Sequence, residues 1–213
     1  RVIVLSGAGG KAFSAGADIS EFAKKRSGEE AVAVYNEAVS KATDALIDAR
    51  KPLLAKIDGF CIGGGLGVAM TCDLRIAAAD SRFAVPAAKL GLGYKMQGLK
   101  ILVDHVGPAA AKEIFFTARQ FDAEEALQMG LVNRVLPPDE LAAYVDEYAA
   151  TIAGNAPLTV LAAKTVIGQV LKDADDRDLD LCQQVVDDCF NSEDYQEGRK
   201  AFMEKRKPEF KGK

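Results

Sequence analysis

The stretch GFCIGGGLGVAMTCD, residues 59–73, sets three successive glycines, Gly63 to Gly65, at the head of an apolar run, with no acid or base before Asp73. A helix N-terminus presents unpaired amide N–H groups and the positive end of the macrodipole, so it favours an oxygen that bears or develops negative charge. Glycines let a ligand reach those amides with no Cβ in the way. The chemistry this pattern offers is anion or oxyanion binding; close backbone packing accounts for the same glycines equally well. A phosphate loop fits poorly, because the lysine and Ser/Thr of the Walker pattern are absent and GAGG at 7–10 lacks the GxGxxG spacing. A second small-residue loop, AFSAGADI (12–19), follows the first apolar run much as GFCIGGG follows a later one. In an α/β sheet both loops open at the same strand ends, and each can supply one amide.

Few side chains compete for a chemical role. Tyr94 lies in KLGLGYKMQGLKIL between Lys89 and Lys95, and by itself reads as a lid or core aromatic. Glu113 in AAAKEIFF reads as a helix-surface acid. The sole histidine, His105, precedes Gly107 at an expected helix end, where a cation is favourable, and reads as a cap rather than a base. The four cysteines, Cys61, Cys72, Cys182 and Cys189, have no CxxC spacing and no histidine partners, so neither a metal site nor a disulfide framework is expected.

The elements that must position these residues alternate. VIVL (2–5) reads as a buried strand running into a loop, and AFSAGADI as loop. Ser27 with Glu30 forms a capping-box signature for a helix to about residue 49, with Val32, Tyr35, Val39, Ala42 and Leu46 at helical spacing. PLLAKIDG reads as a strand, GGGLGVAMTCD as a helix, and LRIAAA and RFAV as two short strands. A helix stopped by Gly107 and another opened by Pro108 follow. Asp122 with Glu125 then caps DAEEALQMG, and LVNRVL is the last strand. Such alternation predicts an α/β layered fold over residues 1–138. From 139 to 213 only helical patterns remain, with apolar faces generous enough to suggest packing on another subunit.

The 213 residues are 49% hydrophobic and 27% charged, within reach of one domain plus an appendage. A net charge of −4 argues against a general nucleic-acid binder. No apolar run approaches the ~18 to 20 residues needed to cross a bilayer, and no leader pattern is present, so no membrane role is expected and the cytoplasm is the expected location. The opening RVIVLSG begins abruptly on a strand-like run, and an N-terminal segment is expected to precede it. The tail RKAFMEKRKPEFKGK is basic.

GKAFSAGADISEF, KPLLAKIDGFCIGGGLGVAMTCDLRIAAADSRFAVP, AKEIFFTARQFDAEEALQMGLVNRVLP and SEDYQEGRKAFMEKRKPEF, in that order, resemble the crotonase (enoyl-CoA hydratase/isomerase) superfamily over essentially the whole chain. The resemblance implies a spiral of ββα units, a C-terminal helical trimerisation region giving a homotrimer or hexamer, and acyl-CoA thioester substrates. Coenzyme A is then part of the substrate, and no separate cofactor or metal is implied. Ala17 and Gly64 match the two residues whose amides hold the thioester oxygen as it becomes an enolate. The loop from Ala15 through Asp18 to Ile19 is similar to the one lining the CoA adenine pocket. Phe202 and Lys205 match positions that reach CoA on a neighbouring subunit. The two glutamates used by hydratases of this family fall at Gly67 and Ala87, so both carboxylates are missing.

Three readings follow from the resemblance: a nominal hydratase or isomerase with a displaced acid, a malonyl-type CoA decarboxylase using Tyr94, and a CoA-ester binder without catalysis. The Tyr94 segment is similar to that of methylmalonyl-CoA decarboxylase. That enzyme differs in carrying a histidine at the position of Ala17 and a glutamate at that of Gly67.

Overall fold

The computed structural model describes residues 1–18 and 29–213. Two compact units account for these: one holds Val4–Ala49 and Leu53–Val145, the other Arg1–Ile3, Arg50–Pro52 and Asp146–Lys213. The larger unit is built from short strands that alternate between two sheets. β1 (Ile3–Ser6), β3 (Leu53–Ile57), β5 (Leu74–Ala78) and β8 (Arg134–Leu136) form one sheet in the order β1-β3-β5-β8. β2 (Ala12–Ser14), β4 (Phe60–Ile62), β6 (Arg82–Ala84) and β7 (Phe121–Asp122) form the other in the order β2-β4-β6-β7. Each pass of the chain leaves one strand in each sheet, which is how a spiral grows.

The first helix described, α1 (Glu29–Ile47), precedes β3, and α2 (Gly64–Thr71) follows β4 directly. Between β6 and β7 come α3 (Ala87–Leu90) and α4 (Met96–Thr117), and α5 (Ala123–Gln128) lies between β7 and β8. The core of this unit packs Leu53, Ala55 and Ile57 from β3 with Cys61, Leu66, Met70, Phe83 and Phe121. β3 is buried at four of its five residues, as expected of a parallel strand covered on both faces.

Local signals held where they rest on backbone chemistry. α4 breaks at Gly107, whose φ of 75° and ψ of 167° are not helical, and Pro108 reopens the helix as its missing N–H allows. The α5 capping box is formed both ways: Glu125 N–H donates to Asp122, and Asp122 N–H donates to Glu125. Ser27, the other expected cap, lies outside the described residues.

Three expectations need correction. AFS in the AFSAGADI loop is strand β2, too short to show alternation. The VIVL run is a strand, but its residues Ile3 and Val4 are exposed, because among the described residues β1 pairs with β3 alone. Only the last three residues of LVNRVL are strand; Leu131 and Val132 are buried in the turn after α5, with both amides bonded to the Ala126 carbonyl.

From Pro138 onward the helices follow the expected pattern, the first beginning in the larger unit and the rest lying in the smaller. α6 (Pro138–Gly154) leads to α7 (Pro157–Val170), α8 (Leu179–Phe190) and α9 (Glu193–Glu204). Among the described residues no single helix is long and apolar enough to cross a membrane. Ser192 caps α9 by accepting from Tyr195 N–H. The tail beyond α9 turns back on it: Lys211 and Gly212 N–H donate to Asp194, and Glu197 receives Arg206 in a fork and the Glu209 N–H.

The hydrogen bonds from Arg206 and then from Glu209 hold the Glu197 carboxyl at about 2, against an ordinary 4.5. A carboxyl whose folded pKa is depressed stabilises above its unfolded value and loses that contribution as pH falls toward its folded one. Lowering the pH from about 4.5 toward 2 is therefore expected to loosen residues 206–209. Amide hydrogen exchange at Glu209 reads this out. Glu197→Gln is expected to show fast exchange already at neutral pH; protection that persisted in that variant would show that Glu197 does not hold the tail.

Candidate active site

The two glycine-bearing loops meet because their strands are neighbours. β2 pairs in parallel with β4, with Ser14 opposite Cys61, and β4 with β6, with Ile62 opposite Ala84. The chain after each strand therefore leaves at the same edge of the sheet. Gly16 N–H donates to Ser14 Oγ at 3.2 Å, which fixes the first turn, and Gly63 N–H donates to the Ala84 carbonyl at 2.8 Å, which fixes the second.

Missing side chains make this approach possible. A Cβ at Gly16 would fall 3.2 Å from Gly64 N, and the Gly16 φ of +90° already disfavours any L side chain. A Cβ at Gly65 would fall 2.3 Å from the Ser14 carbonyl oxygen, inside contact distance, so α2 lies directly on β2. At Gly64 the added atom would stand 3.7 Å from Gly16 Cα and 3.9 Å from Ala17 N, an ordinary contact.

The amides of Ala17 and Gly64 are thus brought to one place, and neither has a hydrogen-bond acceptor among the described residues. Gly64 is exposed and Ala17 partly so. Two free N–H donors, one at the N-terminus of α2, can polarise a carbonyl oxygen and hold it as an oxyanion.

The third strand end borders the same place. Pro86 Cδ would be 3.9 Å from a Cβ at Gly63, and Ala87, next in sequence, opens α3 with only 3% exposure. Gly67 lies one turn along α2 from Gly63, and an added Cβ there would meet nothing within 4 Å. Where the resemblance places glutamates, the structure offers open space at 67 and a buried methyl at 87.

Tyr94 occupies the link between α3 and α4. Its ring stands edge-on to Phe115, with centroids 4.9 Å apart, and remains 40% exposed. Ala15 and Asp18 are exposed on the first loop, while Ile19 lies outside the described residues. Phe202 is 85% exposed on α9, and Lys205 caps that helix with a left-handed φ of 52°. Both belong to the smaller unit. That unit carries an open groove lined by Cys189, Phe190, Tyr195, Phe202 and Phe210.

The remaining candidates are occupied. Glu113 and Glu125 share the Arg119 guanidinium, which lies 3.9 Å over the Phe121 ring, so Glu113 is a surface acid as expected. His105 Nδ1 lies 2.7 Å from the Ile101 carbonyl and must donate to it. Desolvation lowers the His105 pKa, so the ring caps its helix as a neutral donor and not as the expected cation. None of the four cysteines is in a disulfide, and burial pushes the Cys61 thiol up, with Cys72 adding to the effect.

Sequence reasoning passed over three supports of the site. Ser14 holds the first turn; Asp73 accepts the Leu53 N–H at 2.7 Å; Arg75 is 2% exposed. Only Arg75 left a signal, an arginine inside an otherwise apolar strand.

The family model for enoyl-CoA hydratase/isomerase matches residues 1–213. The chain belongs to this family. It is 38% identical over 208 residues to a short-chain-enoyl-CoA hydratase of Clostridium acetobutylicum, covering 97% of this chain and 78% of that protein. A carnitinyl-CoA dehydratase of Salmonella arizonae is 35% identical, with 100% and 82% covered. Among solved structures, an enoyl-CoA hydratase/carnithine racemase from Magnetospirillum magneticum superposes with a TM-score of 0.92 at 38% identity, covering 100% of this chain and 79% of that one. An enoyl-CoA hydratase from Bacillus anthracis does so with a TM-score of 0.92 at 34% identity, covering 100% and 82%. The two-sheet spiral is the crotonase fold of these enzymes.

The glycines of this family member separate by substitution. Gly65→Ala is expected to cost about 1 to 3 kcal/mol or more, because a methyl group must displace the β2 backbone. Gly64→Ala is expected to fold with stability within about 1 kcal/mol of the parent, since alanine suits a helix better than glycine. Denaturant midpoints decide the matter. Equal losses in the two variants would show that the close approach at Gly65 is not a constraint.

Proposed function

We propose that the protein binds acyl-CoA thioesters and stabilises the thioester enolate with the Ala17 and Gly64 amides. The observation that carries this reading is the pair of free N–H groups set side by side by two loops, in a chain whose relatives are named for enoyl-CoA chemistry. As the enolate forms, charge moves onto the thioester oxygen, and donors already in place there lower the barrier without reorganisation. The nominal activity is that of an enoyl-CoA hydratase or isomerase. The loop from Ala15 to Ile19 meets the adenine end of CoA, and Phe202 and Lys205 meet CoA held by a neighbouring copy in a trimer or hexamer. The cytoplasm is the proposed setting.

Gly67 and Ala87 favour a second reading. Hydration needs a group to activate water and another to protonate carbon, each worth roughly 10²- to 10⁴-fold. Decarboxylation of a malonyl-type CoA thioester needs no base. The bond to the carboxylate breaks, its electron pair forms the enolate held by Ala17 and Gly64, CO₂ leaves, and Tyr94 supplies a proton to the α-carbon.

Turnover of crotonyl-CoA and methylmalonyl-CoA, followed by product analysis, tests both readings. The enolate reading expects one of them to be consumed; binding without conversion of either overturns it in favour of a non-catalytic CoA-ester binder. CO₂ release that falls by about tenfold or more in Tyr94→Phe supports the second reading. Restoring both acids in Gly67→Glu/Ala87→Glu is expected to raise hydration of crotonyl-CoA by about 10²-fold or more. No increase in a folded double variant would show that the missing acids are not what limits hydration.

A further inference from the structure

The charge of Arg75 is out of place by every usual rule. Its side chain is 2% exposed on β5, and it forms no ion pair among the described residues. A buried charge is normally paired, because desolvation is costly. Arg75 spends its donors on carbonyls instead: one guanidinium N–H donates to Cys72 O at 2.7 Å, and Nε–H donates to Leu131 O at 2.9 Å. Its own backbone is clasped by Asn133, whose Oδ1 accepts Arg75 N–H and whose N–H donates to Arg75 O. Burial lowers its pKa, and the partial attractions of Cys72 and Asp73 oppose that.

Cys72 is the C-cap of α2, so the guanidinium binds the terminal carbonyl of the helix whose N-terminus carries Gly64. Two other carbonyls at that end are also engaged: Thr71 Oγ donates to Val68 O at 2.7 Å and Cys72 N–H to Ala69 O at 3.2 Å. The N-terminal end is left open. Gly64 is exposed, and its N–H has no acceptor among the described residues. A cation at the negative pole of a helix offsets that pole and leaves the field of the positive pole less opposed. With eight residues, the helix separates the two ends by about 12 Å.

We propose that Arg75 is a positioning residue for the oxyanion site. It anchors the C-terminus of α2 to β5 and to the turn before β8, and its charge makes the Gly64 N–H a stronger donor. The link to catalysis rests on the function proposed above; the effect on Gly64 does not.

The decisive measurement is hydroxide-catalysed hydrogen exchange of the Gly64 amide in the ligand-free protein, by NMR. Because that N–H has no acceptor among the described residues, local opening leaves its rate unchanged, and the rate reports the local potential. Arg75→Gln keeps a donor without the charge, and is expected to slow exchange roughly three- to tenfold, the size of one unit charge about 12 Å away at an effective dielectric constant of about 20. Arg75→Lys is expected to stay close to the parent rate. A folded Arg75→Gln protein with a lower Tm but an unchanged Gly64 rate would reduce Arg75 to a packing tie and overturn the proposal. If Arg75→Gln does not fold, Arg75→Met with the same measurement carries the same two outcomes.

A second readout is the infrared stretch of acetyl-CoA labelled with ¹³C at its thioester carbonyl. Binding to the parent protein is expected to lower that frequency, and Arg75→Gln to lower it less. No shift in the parent would refute the oxyanion function, while the exchange rates would still judge Arg75.

Discussion

Two backbone turns can touch only where neither carries a side chain, and the larger unit is organised around one such contact. Gly65 lies on the Ser14 carbonyl and Gly16 against Gly64, at distances that a single added carbon would violate or crowd. The parallel pairing of β2, β4 and β6 delivers three chain ends to that spot, since parallel strands all run out at the same edge. The sheet supplies direction and the glycines supply approach. What remains is bare amide, which is the one donor that cannot swing away when charge appears beside it.

The same constraint explains why the neighbourhood is held from below. α2 has eight residues and a largely apolar surface, so on its own it has little to keep it helical. Leu66, Ala69 and Met70 bury its core side, and Asp73 and Arg75 fasten the turn that follows to β3 and to the chain before β8. Fixed strands at one end and satisfied carbonyls at the other leave the first amides of the helix with a defined aim. A loop site lacking such backing would have to reorganise as charge develops, losing much of the benefit.

Sequence reasoning reached the parts of this that depend on a residue's own chemistry. Gly107 with Pro108, the Asp122–Glu125 box and the four C-terminal helices leave their marks in type and spacing, and all stand in the structure. The second sheet left almost none. β2, β4 and β7 are two or three residues long, below the length at which alternation can be seen, and their existence depends on neighbours far away in sequence. For the site, the glycines were visible, and so was the expectation that both loops open together. The clasp of Ser14 on Gly16 and the grip of Arg75 on Cys72 were not, because nothing in a linear pattern says which carbonyl an arginine will find.

On the proposed reading, Gly67 and Ala87, where the resemblance places glutamates, narrow what such a site can do. An oxyanion pocket lowers the energy of an enolate however it arises, but it does not remove a proton or split water. On the proposed reading, with open space at Gly67 and a methyl at Ala87, the two positions where the resemblance places acids contribute shape alone. A substrate that carries its own driving force, such as a carboxylate ready to leave as CO₂, loses nothing by that change. A substrate that needs water activated loses both of its protein partners. On the proposed decarboxylase reading, the proton that the enolate's α-carbon must gain comes from Tyr94, a half-exposed phenol packed edge-on against Phe115.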